Sequence, residues 1–261
     1  MRSSTTLARS PYFVVHAVSC TDDHTGWSEP EKQALTQVVL VRRGRFRLRS
    51  QGSLLNVDPT AGYLHVPGQE QQFSHPHGGD VCTSVTLTTD VLADGPWQGA
   101  GPVRVDGRLE LAHRLLRRSA DDMAFGAAEA LVDLIGLALR DRPDAAPPGP
   151  GRRELAERAR EAITSGDPAG TDLVGLARSL DTSPSHLSRT FRHHVGMTVS
   201  RYRNRVRVSR SLSRIEDGDG DLAALAADLG FSDQAHLSRV IKTELGHTPG
   251  QVRRLLLSDN R

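Results

Sequence analysis

The tetrapeptide His-Leu-Ser-Arg occurs twice in the last third of the chain, at residues 186–189 and 236–239. The similarity extends around it, because residues 176–198 and 225–248 each contain an apolar residue followed by alanine, a further leucine and a closing Gly-x-Thr. An internal repeat of this kind indicates two copies of one structural unit. Its apolar spacing is helical, so the sequence predicts a duplicated helical unit.

Each copy has the spacing of a helix-turn-helix, in which two helices cross at a steep angle. Ala177 and Ala226 provide the small side chains that such a close crossing requires. Gly230 suits a left-handed turn in the second copy, and Asp181 tolerates the same conformation better than most residues. We therefore expect matching turns at these two positions.

The second helix of each copy has a recognisable start. Ser183 followed by Pro184 is a capping signal in the first copy, and Ser232 or Asp233 serves in the second. Between the copies, residues 199 to about 215 predict one helix of roughly 26 Å at 1.5 Å per residue. This helix would be a rigid spacer between the two motifs.

Charge is distributed unevenly along the chain. The formal net charge of +2 excludes a polybasic tail protein and an acidic disordered one. Residues 178–214, however, contain nine arginines and one acidic residue, a net charge of +8. A solvated arginine face is the alternative interpretation, but next to paired helix-turn-helix motifs such a stretch favours binding to a phosphate backbone.

The second copy carries the run Gly-Phe-Ser-Asp-Gln-Ala-His-Leu-Ser-Arg at 230–239, followed by Gly246, Thr248-Pro249 and Arg253. The first copy matches the same signature at Ser183, Leu187, Arg189, Phe191, Gly196, Tyr202 and Arg207. With these residues, 171–254 resembles the DNA-binding domain of the AraC/XylS family of transcription regulators. The resemblance implies two recognition helices in successive major grooves of double-stranded DNA.

Carried onto this sequence, the resemblance implies a set of exposed DNA-contacting residues. They are Ser185, Ser188, Arg189 and Arg192 in the first copy, and Gln234, Ala235, Ser238 and Arg239 in the second. Arg189 and Arg239 would read guanine and Gln234 adenine, with a phosphate contact as the alternative for either arginine. Further phosphate contacts are expected at Ser183, Thr198, Arg203, Arg205 and Thr248. Core positions are expected at Leu187, Phe191, Leu237, Val240 and Ile241.

The first half of the chain has a different pattern. Residues 12–92 contain short β-branched runs separated by turn signals, which predict a small barrel or sandwich. Residues 106–140 predict two helices whose leucine stripe would form a dimer contact, with packing on the chain's own barrel as the alternative. The Pro- and Gly-rich residues 141–151 predict a linker. We therefore expect a sensor and dimerisation domain at 1–140 and a DNA-binding domain at 152–261.

The segment Gly-Tyr-Leu-His-Val-Pro-Gly at 62–68 resembles the cupin-like sensor domains found ahead of such DNA-binding units. The resemblance implies a β-barrel, so the expected fold class is α+β. The histidines of metal-binding cupins are missing, because Gln69, Glu70 and Gln71 follow Pro67-Gly68. No cofactor and no enzyme activity are therefore expected. Strand alternation places Gln71, Phe73 and His75 on one side, as candidates for a ligand pocket.

A rival metal cluster could be assembled from cysteines and histidines of the same half. Its members would be Cys20, His24, His75, His77 and Cys82, but their spacing matches no ligand pattern. Core cysteines and surface histidines are the favoured interpretation.

The leading hypothesis is a DNA-binding transcription regulator controlled by a small-molecule effector in the N-terminal barrel. The competing hypotheses are a constitutive regulator whose N-terminal domain only assembles the protein, and a cupin-type enzyme with a helical appendage. The expected partners are DNA, an effector, a second copy of the chain and RNA polymerase. Without a leader-like N-terminus or 18 consecutive apolar residues, the sequence predicts a cytoplasmic protein with no membrane partner.

Overall fold

The computed structural model describes residues 2–76, 78–88, 101–118, 126–140 and 150–257. The chain divides into two compact units, Met1–Pro143 and Asp144–Arg261. The first is built mainly from strands and the second from helices, so the fold class is α+β as predicted. Within the described ranges, no helix combines the length and the apolar character needed to cross a bilayer.

The strands of the first unit form two antiparallel sheets. They are β1 (Arg2–Arg9), β2 (Phe13–Cys20), β3 (Glu31–Lys32), β4 (Thr36–Arg43), β5 (Phe46–Ser50), β6 (Ser53–Val57), β7 (Ala61–His65), β8 (Glu70–Ser74), β9 (Asp80–Leu87) and β10 (Gly101–Arg104). The larger sheet has the order β1-β2-β9-β4-β7-β10, and the smaller one has the order β3-β8-β5-β6. The strands fall in the predicted region 12–92 except for the mostly polar β1 and for β10, which both lie outside it.

Apolar side chains fill the space between the two sheets. The cluster consists of Val39, Val41, Phe46, Leu48, Val57, Tyr63 and Cys82. Phe46 and Leu48 point into it while Arg47 and Arg49 lie outside, which is the alternation expected for a sheet with one wet side. In the part of the chain that the structure describes, no ladder joins the two sheets, so the expected barrel is open and the unit is a sandwich.

The opposite face of the larger sheet is covered by two helices, α1 (Gly107–Arg118) and α2 (Gly126–Arg140). Their apolar residues Leu109, Leu116, Leu131, Leu134 and Ala138 are buried against sheet residues such as Val38, Leu64 and Val85. The prediction that this leucine stripe forms a dimer contact is therefore wrong. The stripe is core, because the sheet has a second apolar face that needs covering.

The second unit is helical throughout its described part. Its α-helices are α3 (Pro150–Ser165), α4 (Leu173–Ser179), α5 (Pro184–Val195), α6 (Val199–Glu216), α7 (Leu222–Asp228), α8 (Gln234–Leu245) and α9 (Pro249–Leu257). Helix α3 begins inside the segment 141–151 that the sequence assigned to a linker. Proline is tolerated in the first turn of a helix, where its missing N–H has no intrahelical partner. The rest of the predicted linker, 141–149, lies outside the described residues.

Candidate nucleic-acid interface

Two helix-turn-helix motifs are present, α4 with α5 and α7 with α8. Ala177 and Ala226 are buried at the crossings, with at most 1% of their surface exposed. The turns have left-handed backbone at the two expected positions, with φ of 52° at Asp181 and 72° at Gly230. Both motifs therefore use the small residue and the turn conformation that the repeat indicated.

The second helices α5 and α8 are both 12 residues long. The N–H of His186 donates to the Ser183 hydroxyl at 3.2 Å, and the N–H of His236 donates to the Asp233 carboxylate at 2.6 Å. Asp233 is thus the cap of the second copy, and Ser232 instead contacts Nδ1 of His236. These caps fix where each helix begins.

One face of each second helix is buried. Leu187 and Phe191 in α5, and Leu237 and Ile241 in α8, are fully buried as predicted. The Phe191 ring meets the Tyr202 ring edge to face, with centroids 5.4 Å apart. Val240 was expected in the core but is only half-buried. The buried faces hold α5 and α8 in a fixed orientation and leave their opposite sides to solvent.

The eight residues predicted to contact DNA all lie at or near that outer side. Ser185, Arg189, Arg192, Gln234, Ala235 and Arg239 are exposed, and Ser188 and Ser238 are half-buried. Three of the eight, Ser185, Gln234 and Ala235, fall in the first turn of α5 or α8. Arg189 and Arg239 are at equivalent positions, six residues after their caps. Neither arginine forms an ion pair with any residue that the structure describes. Their guanidinium donors are available to a ligand.

Three of the predicted phosphate-contacting residues are exposed helix caps. The hydroxyls of Ser183, Thr198 and Thr248 accept from the backbone N–H groups of His186, Arg201 and Gln251 at 3.2–3.3 Å. An accepting hydroxyl keeps its own proton, so each can still donate to an anion. Helix N-termini also carry partial positive charge.

The expectation that Arg205 contacts phosphate is wrong, because only 2% of this residue is exposed. Helix α6 packs against the second helix of each motif and against α3 and α9, and nine of its 18 residues are buried. A sequence pattern cannot separate an outward arginine from an inward one on such a helix. Arg203, two residues earlier, is half-buried.

Much of the positive charge of the arginine run is used inside the unit. Arg214 bonds to Asp219 at 2.5 Å and Asp228 at 3.3 Å, and these hydrogen bonds raise its pKa. Arg210 donates to the Thr164 carbonyl at 2.9 Å. The basic stretch is therefore partly structural, and its net charge overstates what it offers to DNA.

The Arg207 guanidinium in the same run lies 5.3 Å from the centre of the Phe231 ring. Burial lowers the pKa of Arg207, and the neighbouring Arg203 and Arg210 lower it further. This side chain links the spacer helix α6 to the turn of the second motif.

The candidate ligand-pocket residues lie in the first unit. Gln71 and His75 are buried, and Phe73 is half-buried. The rings of Phe73 and His75 both contact the Phe46 ring, with centroids 5.9 and 5.7 Å apart. Phe73 and His75 therefore share the inward side of the sandwich, where the alternation placed them together.

Comparison with known proteins gives a family match for the C-terminal region, where residues 176–255 match the family described as "Helix-turn-helix domain". The chain is 26% identical over 186 residues to the HTH-type transcriptional activator RhaS of Pectobacterium atrosepticum, covering 69% of this chain and 67% of that protein. It is 32% identical over 82 residues to the arabinose operon regulatory protein of Escherichia coli, covering 31% of this chain and 28% of that protein.

Among solved structures, the chain is similar to ToxT from Vibrio cholerae O395 at 12% identity and a TM-score of 0.38. The alignment covers 94% of this chain and 98% of ToxT.

Proposed function

We propose that this chain, an AraC-type DNA-binding transcriptional regulator, reads its operator with the outer sides of α5 and α8. The observation that carries the proposal is the pair of 12-residue helices with equivalent caps, equivalent buried faces and exposed arginines at Arg189 and Arg239. Helices of this size fit the major groove, and arginine can bond bidentately to the O6 and N7 of guanine. Gln234, in the first turn of α8, has the amide that pairs with adenine.

The remaining contacts would position the protein without reading sequence. The cap hydroxyls of Ser183, Thr198 and Thr248 and the half-buried Arg203 are proposed to contact phosphates. Binding then weakens as salt is added. The logarithm of the binding constant falls linearly with the logarithm of the salt concentration, with a slope of about −0.9 for each phosphate neutralised. Arg205 is excluded from this set by its burial.

The proposal is tested by selecting binding sites for the full chain from a random DNA pool. Arg189→Ala and Arg239→Ala should each cost about 1–3 kcal/mol at the selected site and relax the preference at one base pair. Arg203→Ala should weaken all sequences alike. Arg158→Ala, an exposed arginine on α3, is the matched control and should change neither affinity nor preference. Unchanged base preference in both reader variants would move these arginines to the phosphate-contacting class.

We further propose that a small-molecule effector binds to the N-terminal sandwich and that the regulator works in the cytoplasm as a homodimer. The support is the burial of the polar side chains of Gln71 and His75 and the contact of the His75 ring with the Phe46 ring. Ligand pockets are mostly apolar and use a few polar groups of this kind to orient the ligand. Compounds that raise the melting temperature of the full chain should fail to do so for Phe73→Ala. A chain whose operator affinity responds to no compound would favour the constitutive alternative.

Sedimentation of the full chain tests the dimer. A charge placed on the leucine stripe, as in Leu131→Asp, does not test the dimer, because Leu131 is buried against the sheet of its own unit and the change would unfold that unit. A contact with RNA polymerase is a further proposal, tested by transcription with purified components.

A further inference from the structure

One end of the sandwich brings a thiol, an imidazole and a carboxylate together inside the protein. Cys20, the last residue of β2, is directly paired with Asp80, the first residue of β9. His75 follows β8 in the other sheet. One ligand atom from each of these three side chains lies within 4.8 Å of the other two, and all three residues are buried. Both sheets therefore contribute to the cluster, and His75 is not the surface histidine that the sequence suggested.

Two polar atoms of the cluster stand out. Within the described ranges, His75 Nδ1 and Asp80 Oδ1 are buried with no hydrogen-bond partner. His75 Nε2 lies 3.0 Å from Asp80 Oδ1, but the two are not aligned as donor and acceptor. Buried polar atoms are nearly always satisfied in folded proteins. A cation held between His75 Nε2 and Asp80 Oδ1 would give that buried carboxylate oxygen the partner it lacks.

Neighbouring groups hold these side chains in place. The Cys82 thiol donates to Asp80 Oδ2 at 2.6 Å, which leaves Oδ1 directed towards His75. The backbone N–H of His75 donates to the His24 carbonyl at 3.0 Å, and the two imidazole rings meet edge to face at 5.5 Å. Outer contacts of this kind orient ligands at metal sites.

A glycine allows the backbone to close around the cluster. A Cβ on Gly79, the residue before Asp80, would lie 2.0 Å from the carbonyl oxygen of Cys20. Any larger residue there would push β2 and the start of β9 apart. The close approach of Cys20 to Asp80 thus depends on glycine at position 79.

We propose that Cys20, His75 and Asp80 bind a zinc-type divalent metal ion through a thiolate, an imidazole and a carboxylate. Zinc binds all three ligand types, usually in a tetrahedron. At its usual bond lengths, the ligand atoms of such a tetrahedron lie about 3.3–3.8 Å from one another. The three ligand atoms lie within 4.8 Å of one another, and His75 Nε2 and Asp80 Oδ1 lie 3.0 Å apart, close to that range. Water completes the fourth position, and Cys82 supports the carboxylate from outside the ligand set.

The electrostatics of the site agree with a cation. Burial raises the pKa of the Cys20 and Cys82 thiols, and the Asp80 carboxylate raises both further. The Asp22 carboxylate also raises the pKa of Cys20, while the hydrogen bond from the Asp22 backbone lowers it. The same negative potential that disfavours a thiolate attracts a divalent ion, and zinc deprotonates a coordinating thiol outright.

Cobalt(II) titration of the reduced full chain tests the site, because thiolate ligation gives an intense charge-transfer band and zinc should displace the cobalt. We expect one equivalent bound with that band. Cys20→Ser should abolish the band. Cys82→Ser should retain it, because the band reports the Cys20 thiolate and a serine hydroxyl can still donate to Asp80 Oδ2. His75→Gln and Asp80→Asn should weaken cobalt binding by at least about tenfold, as changes around metal sites do.

Circular dichroism checks that each variant is folded. If Asp80→Asn does not fold, the two cysteine variants still decide whether the metal is bound through Cys20. Failure of the wild-type chain to bind cobalt with a charge-transfer band overturns the proposal, as does a band that survives Cys20→Ser. The test does not involve DNA, so its outcome is independent of the proposed operator recognition.

Discussion

The two helix-turn-helix copies agree in their helices and differ in their turns. In the first copy two residues separate the left-handed Asp181 from the start of α5, whereas three separate Gly230 from α8. The additional residue is Phe231, which is buried and contacts both the Arg207 guanidinium and the His236 ring. The second motif is thus anchored to the spacer helix α6 by its turn. The repeat therefore preserves the second, partly exposed helix of each motif, while the turn before that helix differs between the two copies.

The largest effect expected from this difference is that of Phe231→Ala. Removing a buried phenyl ring should lower the free energy of unfolding by about 3–5 kcal/mol. Thr182→Ala, in the shorter turn of the first copy, is the control and should cost within about 0.5 kcal/mol, as substitutions at partly exposed positions do.

Helical circular dichroism follows the unfolding of the second unit, and tryptophan fluorescence reports the first, since Trp27 and Trp97 both lie in that part of the sequence. Equal costs for the two variants would show that the longer turn is not an anchor.

The features of these turns that were predictable from sequence are local. Ser183 with Pro184 starts a helix, and Gly230 permits positive φ, for reasons contained in a few neighbouring residues. Even Asp181 followed from its intrinsic tolerance of left-handed backbone. The choice between Ser232 and Asp233 as cap needed the structure, because both side chains are competent acceptors.

The features that could not be predicted from the sequence depend on which helices and strands pack against each other. Arg205 has the same sequence signal as the half-buried Arg203 and Arg207, yet it lies on the buried side of α6. Leu131 and Leu134 form an apolar stripe that fits a partner subunit or its own sheet equally well. Asp80 entered the metal cluster only through strand register, since 60 residues separate it from Cys20. Sequence periodicity shows which face of a helix or strand is apolar, but it does not show which other element packs against that face.

A smaller effect is expected where the two turns have left-handed backbone. Gly230→Ala should cost about 1–2 kcal/mol, the penalty of a Cβ in that conformation. Its Cβ would also lie 2.9 Å from the end of the Arg207 side chain, which can move aside. Asp181→Gly should be close to neutral, because it removes strain in the folded state while loosening the unfolded chain.

Gly250→Ala is the control for the glycine substitution, since a Cβ on this helical glycine would meet no described atom within 4 Å. It should leave the midpoint of denaturant unfolding unchanged or raise it. A Gly230→Ala variant as stable as Gly250→Ala would contradict the strained-turn interpretation.

The smallest expected effect concerns the caps, where the first copy has Ser183 and the second Asp233. Both are good caps, so Ser183→Asp and Asp233→Ser should each change stability by only a few tenths of a kcal/mol. Their charges differ, and a carboxylate beside a phosphate weakens binding by up to about 1 kcal/mol in water. Ser183→Asp should therefore weaken DNA binding and Asp233→Ser should strengthen it, by amounts that shrink as salt screens the charges. Fluorescence anisotropy at low and high salt measures both, and an affinity unchanged at low salt would place that cap away from the phosphate backbone.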